Sequence, residues 1–133
     1  MSQGIPATIL LVDDDHAVRE VVAAMLEDLG YRVVEADNGA AALGLLSAGN
    51  RVDLVVADFS MPGMTGMELL RQATACRPEL PVLLVTGYAD DKTLAALGEE
   101  RLVLKPFRNE ELARKVRMAL SGPDGGRVVR LQR

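Results

Sequence analysis

The sequence predicts an α/β protein: five strands alternating with five helices, forming a parallel sheet covered on both faces. Two observations carry this. Ile9–Val12, Leu54–Ala57 and Val82–Val85 are continuous apolar runs, the pattern of strands buried on both sides, and stretches with helical periodicity separate them. Four of the five predicted strands also end in a polar side chain: Asp13 after the first, Asp58 after the third, Thr86 closing the fourth and Lys105 after the fifth, Leu102–Leu104. Parallel strands would project all of these at the carboxyl edge, where open α/β folds place their ligands.

Taken in order, Met1–Ala7 carries Gly4 and Pro6 without periodicity and reads as a flexible lead-in to a domain spanning residues 8–120. Thr8–Val12 is the first strand. After three acids, Val18, Val21, Val22, Met25, Leu26 and Leu29 recur at helical spacing, and Gly30 suits the position just past the helix end. Arg32–Ala36 reads as the second strand, Asp37-Asn38-Gly39 as a turn, and Ala40–Ala48 as a helix closed by Gly49-Asn50. The central strand is Leu54–Asp58, followed by a loop in which Pro62, Gly63 and Gly66 favour tight turning, and a helix from about Thr65 to Cys76. Pro78 and Pro81 bracket the return to the fourth strand, Val82–Thr86. Asp90–Leu97 reads as a short, weak helix ended by Gly98, and Leu102–Leu104 as a short fifth strand. Asn109 is the expected cap of a last helix with Leu112, Val116, Ala119 and Leu120 on one face and Glu110 and Glu111 near its positive end. Residues 121–133, with Gly122-Pro123 and Gly125-Gly126, read as a flexible tail or a remnant of linkage to another domain.

The bulk properties narrow the function. A chain of 133 residues, 49% apolar and 26% charged, is expected to form one globular domain. A net charge of −4 argues against nucleic acid as a direct partner. No apolar run approaches the ~20 residues that cross a membrane, so no membrane insertion is expected. With no leader pattern at the N-terminus, the cytoplasm is the expected location. The single cysteine, Cys76, sits in an apolar helical pattern that predicts a buried thiol. The only histidine, His16, is assigned to the surface; one Cys and one His leave no basis for a Cys/His metal site or a Ser-His-Asp hydrolase.

Taken alone, Asp58 reads equally well as the cap of a helix starting near Thr65. The company it would keep changes that. Asp13, Asp14 and Asp58 at one edge repel one another unless a cation holds them, and oxygen-only donors suit Mg²⁺. Lys105 and Thr86 can contact phosphate oxygens. Asp15 is expected to cap the first helix rather than bind metal, and Met61, Met64 and Met67 to pack, with docking of a partner open for Met61 and Met64.

An acidic pair after the first strand, an Asp after the third, a Thr after the fourth and Lys105-Pro106 after the fifth together resemble the receiver domain of two-component response regulators. The resemblance covers Thr8 to Leu120, nearly the whole chain. It implies a flavodoxin-like doubly wound sheet in the order 2-1-3-4-5. It also implies phosphorylation of Asp58 by a sensor histidine kinase or a histidine phosphotransfer protein. Mg²⁺ would be bound by Asp14 and Asp58 directly, by Asp13 through a water and by Ser60 through its carbonyl oxygen. Lys105 and Thr86 would contact the phosphoryl group, Gly87 would leave room for Thr86 to move, and Pro106 would follow a cis bond that turns Lys105 inward. The domain would catalyse only its own phosphorylation and dephosphorylation.

Two departures from the family pattern bear on output. Leu102 stands where the family usually has Tyr or Phe, and the 19 positions from Thr86 to Lys105 are about three fewer than the resemblance leads one to expect. Both alter the fourth-helix, fifth-strand, fifth-helix face. The pattern looks like that of standalone receivers or receivers of hybrid histidine kinases, and a monomer or weak dimer is expected. Two alternatives remain at this point: a receiver-like module that docks without phosphorylation, and a Mg²⁺-dependent phosphohydrolase of the haloacid dehalogenase type. The latter family wants a second Asp two residues after the nucleophile, where this chain has Ser60.

Overall fold

The computed structural model describes residues 6–87 and 91–125. Its elements follow in the order β1 Thr8–Val12, α1 His16–Asp28, β2 Arg32–Ala36, α2 Gly39–Ser47, β3 Leu54–Asp58, α3 Gly66–Cys76, β4 Val82–Thr86, α4 Asp91–Leu97, β5 Leu102–Leu104 and α5 Asn109–Gly125. A single 3₁₀ turn, Glu99–Arg101, precedes β5. The five strands form one parallel sheet in the order β2-β1-β3-β4-β5, the doubly wound arrangement anticipated above.

Side-chain alternation along the strands divides the core in two. Leu10, Val12, Val55, Ala57, Val82, Leu84 and Leu102 face α2, α3 and α4, where they meet Ala42, Leu46, Leu69, Ala73 and Leu97. Ile9, Leu11, Leu54, Val56, Leu83, Val85 and Val103 face the other way, onto Val22 and Leu26 of α1 and Leu112 and Val116 of α5. Both faces of the three central strands are thus dry, which is why those strands read as unbroken apolar runs.

Helix starts follow their local chemistry. Asp15 caps α1 by accepting from the N–H groups of Ala17 and Val18, as expected, and Asn38 does the same for α2 through Ala41. Thr65 and Glu68 close a reciprocal capping box at the start of α3. Gly30 adopts a φ of 99° just past α1, the left-handed conformation that ends helices.

Four expectations need correction. Cys76 is exposed, because the inward stripe of α3 runs through Gly66, Leu69 and Ala73 and the helix ends one turn later, at its rim. Asn109 is the first residue of α5 rather than its cap; the Arg108 carbonyl accepts the first helical bond, from Leu112 N–H. The same helix runs past Leu120 to Gly125, five residues into the segment assigned to a tail. A helix already several turns long adds each further bond without a new nucleus, so Gly122 and Pro123 do not stop it at once. Finally, Val21 and Leu29 are exposed despite their helical spacing, because the buried side of α1 is Val22, Ala23 and Leu26. Residues 1–5 of the lead-in, residues 88–90 and residues 126–133 of the tail lie outside the described residues.

Candidate functional site

The carboxyl edge of the sheet gathers the polar strand ends. Val12 pairs with Ala57 across β1 and β3, which sets Asp13 beside Asp58, and Asp58 pairs with Val85 across β3 and β4. Thr86 pairs with Leu104, and Lys105 N–H donates to the Thr86 carbonyl at 2.8 Å. Asp13, Asp58 and Lys105 continue the alternation of Leu11, Val56 and Val103, toward α1 and α5. Thr86 continues that of Leu84, toward α3 and α4.

Carboxylate oxygens of Asp13, Asp14 and Asp58 all lie within 4.8 Å of one another. Asp13 is 8% exposed, Asp58 is half-buried and Asp14 is open to solvent. Lys105 Nζ donates to Asp58 Oδ1 at 3.1 Å. Burial, more than any other influence, raises the Asp13 carboxyl above its ordinary value; the Asp15 N–H on its Oδ1 at 2.9 Å opposes this, and the Asp58 charge adds to it. Three acids held this closely, one of them desolvated, form an oxygen-only donor set of the kind a hard divalent cation takes.

The remaining expected residues fall around this cluster. Thr86 is buried at 6% exposure, and Gly87 follows it at the surface. The Lys105-Pro106 bond is cis. Ser60 is exposed in the loop after Asp58. Leu102 is 3% exposed and part of the α2/α3/α4 core, not a surface side chain. Met61 is buried in that core with Met64 and Met67 packed against it, as expected for filler. A cavity of about 20 Å³ beneath Asp58 is walled by Val18, Val22, Val56 and Phe107, so the acids stand on an apolar floor.

Two residues that shape the site went unassigned in the sequence. Gly66 reads there as a turn former, yet it is the first residue of α3 and lies against the end of β3; a Cβ on it would meet the Asp58 carbonyl oxygen at 2.7 Å and Phe59 Cα at 2.8 Å. Arg19 reads only as a polar helix position, yet its Nη1 donates to the Asp13 carbonyl at 2.8 Å. A glycine at a helix start with a capping residue already before it was the available sign for Gly66; nothing in the spacing marked Arg19.

At the opposite edge an open depression of about 390 Å³ is lined by Val52, Asp53, Arg77 and the Pro78–Pro81 turn. Two of its charged side chains are already used in the fold: Asp53 accepts from Thr8 N–H at 2.7 Å, and Arg77 donates to the carbonyls of Leu46 and Asn50.

Known proteins resemble this chain over most of its length. The family model of the response regulator receiver domain matches residues 9–117. The chemotaxis protein CheY of Pseudomonas aeruginosa is 41% identical over 114 residues, covering 81% of this chain and 91% of CheY. The sensor kinase CckA of Brucella abortus is 38% identical over 122 residues, 89% of this chain but 13% of the kinase. A CheY-like receiver domain structure from Methanospirillum hungatei superposes with a TM-score of 0.79 at 30% identity, covering 88% of this chain and 95% of that one. With the five-stranded order, the acidic edge and a match that spans both, the chain belongs to the response regulator receiver domain family of two-component signalling.

Proposed function

We propose that this chain accepts a phosphoryl group on Asp58 from a phosphohistidine of a sensor histidine kinase or a histidine phosphotransfer protein, with Mg²⁺ at the acidic cluster. The observation that carries the reading is the Lys105 Nζ contact to Asp58 Oδ1, 3.1 Å, made inside a cluster of three carboxylates. One cation placed on one of three acids marks that acid as the centre of charge handling.

An Asp58 carboxylate oxygen would attack phosphorus, the P–N bond of the donor would break, and its electron pair would leave on the imidazole nitrogen, which takes a proton. Nucleophile and phosphoryl group are both anionic, so the site must supply positioning and positive charge. Lys105 would move from Asp58 Oδ1 to an oxygen of the transferred group. Thr86, from the neighbouring strand end, would donate its hydroxyl to another. Asp14 and Asp58 would hold Mg²⁺ directly, Asp13 through a water and Ser60 through its carbonyl. When bound, Mg²⁺ supplies the charge neutralisation that makes three adjacent acids and a phosphoryl group compatible.

Signalling would follow from movement of Thr86 and the segment after it. The chain would act on itself and not turn over small phosphate esters. Intact mass after treatment with acetyl phosphate tests the reading: one phosphoryl group with Mg²⁺ present, none without it, and none in Asp58→Asn. A folded chain unchanged in mass under phosphodonor and Mg²⁺ overturns it.

A further inference from the structure

The main chain at Asp13 is held from both sides. Its N–H donates to the Ala36 carbonyl of β2 at 3.2 Å, and its carbonyl oxygen accepts from Arg19 Nη1 at 2.8 Å. The same guanidinium donates from Nε to Glu35 Oε1, also at 2.8 Å, and its Nη2 lies 3.0 Å from His16 Nδ1. Arg19 is thereby pulled off the surface: its side chain is 13% exposed, against 42% for Glu35. One side chain of α1 thus ties together the helix, the end of β2 and the peptide joining two of the three acids.

We propose that Arg19 is a positioning residue for the acidic cluster, fixing the Asp13–Asp14 peptide so that both carboxylates converge on one cation. This rests on the Mg²⁺ reading above. The reasoning starts from repulsion. Asp13 and Asp14 are adjacent in sequence and would separate if the peptide between them could rotate. That rotation swings the Asp13 carbonyl, the atom Arg19 holds. Glu35 anchors the guanidinium from the other side, so its fork spans a carboxylate and a carbonyl at once. A lysine, a point charge without the fork, cannot hold both partners in the same geometry; it is drawn to the charged Glu35 carboxylate and releases the neutral Asp13 carbonyl. An exposed Arg–Glu pair alone would contribute little to stability. The contact that matters here is the one to the main chain of the site.

The test is a Mg²⁺ titration of the full chain by calorimetry, on the wild type, Arg19→Lys, Arg19→Ala and Glu35→Gln, with thermal melts establishing that each is folded. Groups that orient metal ligands from behind typically change metal affinity 10–100-fold, and about tenfold weakening is expected in both Arg19 variants. Glu35→Gln should lose less, because Arg19 keeps its bond to Asp13. Initial rates of phosphorylation by acetyl phosphate should then show a split: Arg19→Lys needs more Mg²⁺ but reaches the wild-type rate at saturation, since every reacting group is intact. A folded Arg19→Lys with Mg²⁺ affinity within about twofold of wild type overturns the proposal, given the usual scale of such effects. So does a lowered plateau rate at unchanged affinity. Should Arg19→Ala fail to fold, Arg19→Lys and Glu35→Gln decide. A folded wild type that binds no Mg²⁺ overturns the metal reading itself, and the Arg19 role with it; the wild-type titration therefore separates the two failures.

Discussion

Lys105 Nζ and Asp58 Oδ1 meet at 3.1 Å although 47 residues separate them in the chain. The contact is made possible by register: β5 is short, pairs with the end of β4, and releases Lys105 one step past Leu104. The Asp58 side chain is 11% exposed and that of Lys105 39%, so the pair is partly shielded and the carboxylate is its more buried half. Replacing Lys105 with Ala should leave the fold intact, since no core contact is lost. The rate of phosphoryl incorporation from acetyl phosphate at saturating Mg²⁺ should fall by roughly 10²-fold, the usual effect of removing one charge-stabilising donor. An unchanged rate would show that Lys105 does not meet the transferred group.

Asp13 yields a prediction about pH. Its folded-state carboxyl titrates above the ordinary value of 3.8, chiefly through burial. The folded chain therefore binds more protons than the unfolded chain between 3.8 and that raised value. The stability linked to this group is fully present below the unfolded value and is lost as pH rises through the folded one. Asp13→Asn removes that loss. Without Mg²⁺, the variant should melt at a higher temperature than the wild type at neutral pH, and the difference should shrink on acidification toward 3.8. Addition of Mg²⁺ should raise the melting temperature of the wild type and leave Asp13→Asn nearly unmoved. A variant that melts lower at neutral pH without Mg²⁺ would contradict the raised titration.

Two glycines in helices should respond in opposite directions. Gly66→Ala puts a methyl 2.7 Å from the Asp58 carbonyl oxygen and 2.8 Å from Phe59 Cα, both main-chain atoms that cannot step aside. The start of α3 must shift, at a cost of about 1–3 kcal/mol, and Asp58 shifts with it. Gly44 lies within α2, and a methyl group added there would meet nothing within 4 Å, so Gly44→Ala should gain roughly 0.5–1 kcal/mol from helix propensity alone. Urea titrations of the two variants measure both. Equal responses would mean that Gly66 is not packed against the end of β3.

The three central strands were legible because burial on both faces leaves unbroken apolar runs, and the polar edge because the first, third, fourth and fifth strands end abruptly in Asp13, Asp58, Thr86 and Lys105. The sheet order was not in the periodicity; it came from the resemblance carried by those same residues. Details decided by tertiary contact stayed hidden. Cys76 has the spacing of a buried residue, but α3 ends at the rim of the sheet, and sequence spacing does not show where a sheet stops. Arg19 looks like any charged helix residue, because the carbonyl it holds belongs to a different element. Gly66 looks like a turn residue, because only the fold reveals the main chain pressed against it.

Leu102 supplies the last prediction, that activation proceeds without an aromatic side chain changing places at β5. Leu102 pairs with Leu84 across β4 and β5, is 3% exposed, and belongs to the same core cluster as Leu84 and Leu97. It fills its space in the core and has no hydroxyl to present to solvent. A movement of Thr86 toward a phosphoryl group must then be absorbed between β4 and β5. α4 is only seven residues long, with Leu97 buried and its exposed described side chains at 92, 95 and 96, and it is the element expected to take up that movement. Tyr88, the aromatic that follows Gly87 in the sequence, lies outside the described residues. Hydrogen exchange with and without beryllofluoride, a phosphoryl mimic, should show changes centred on residues 86–98 and little at Leu102–Leu104. Leu102→Ala should cost about 2–5 kcal/mol, as a truncated core leucine does, while leaving the exchange response in the 86–98 segment in place. A large response at Leu102–Leu104 with a static 86–98 segment would place the switch in β5 after all.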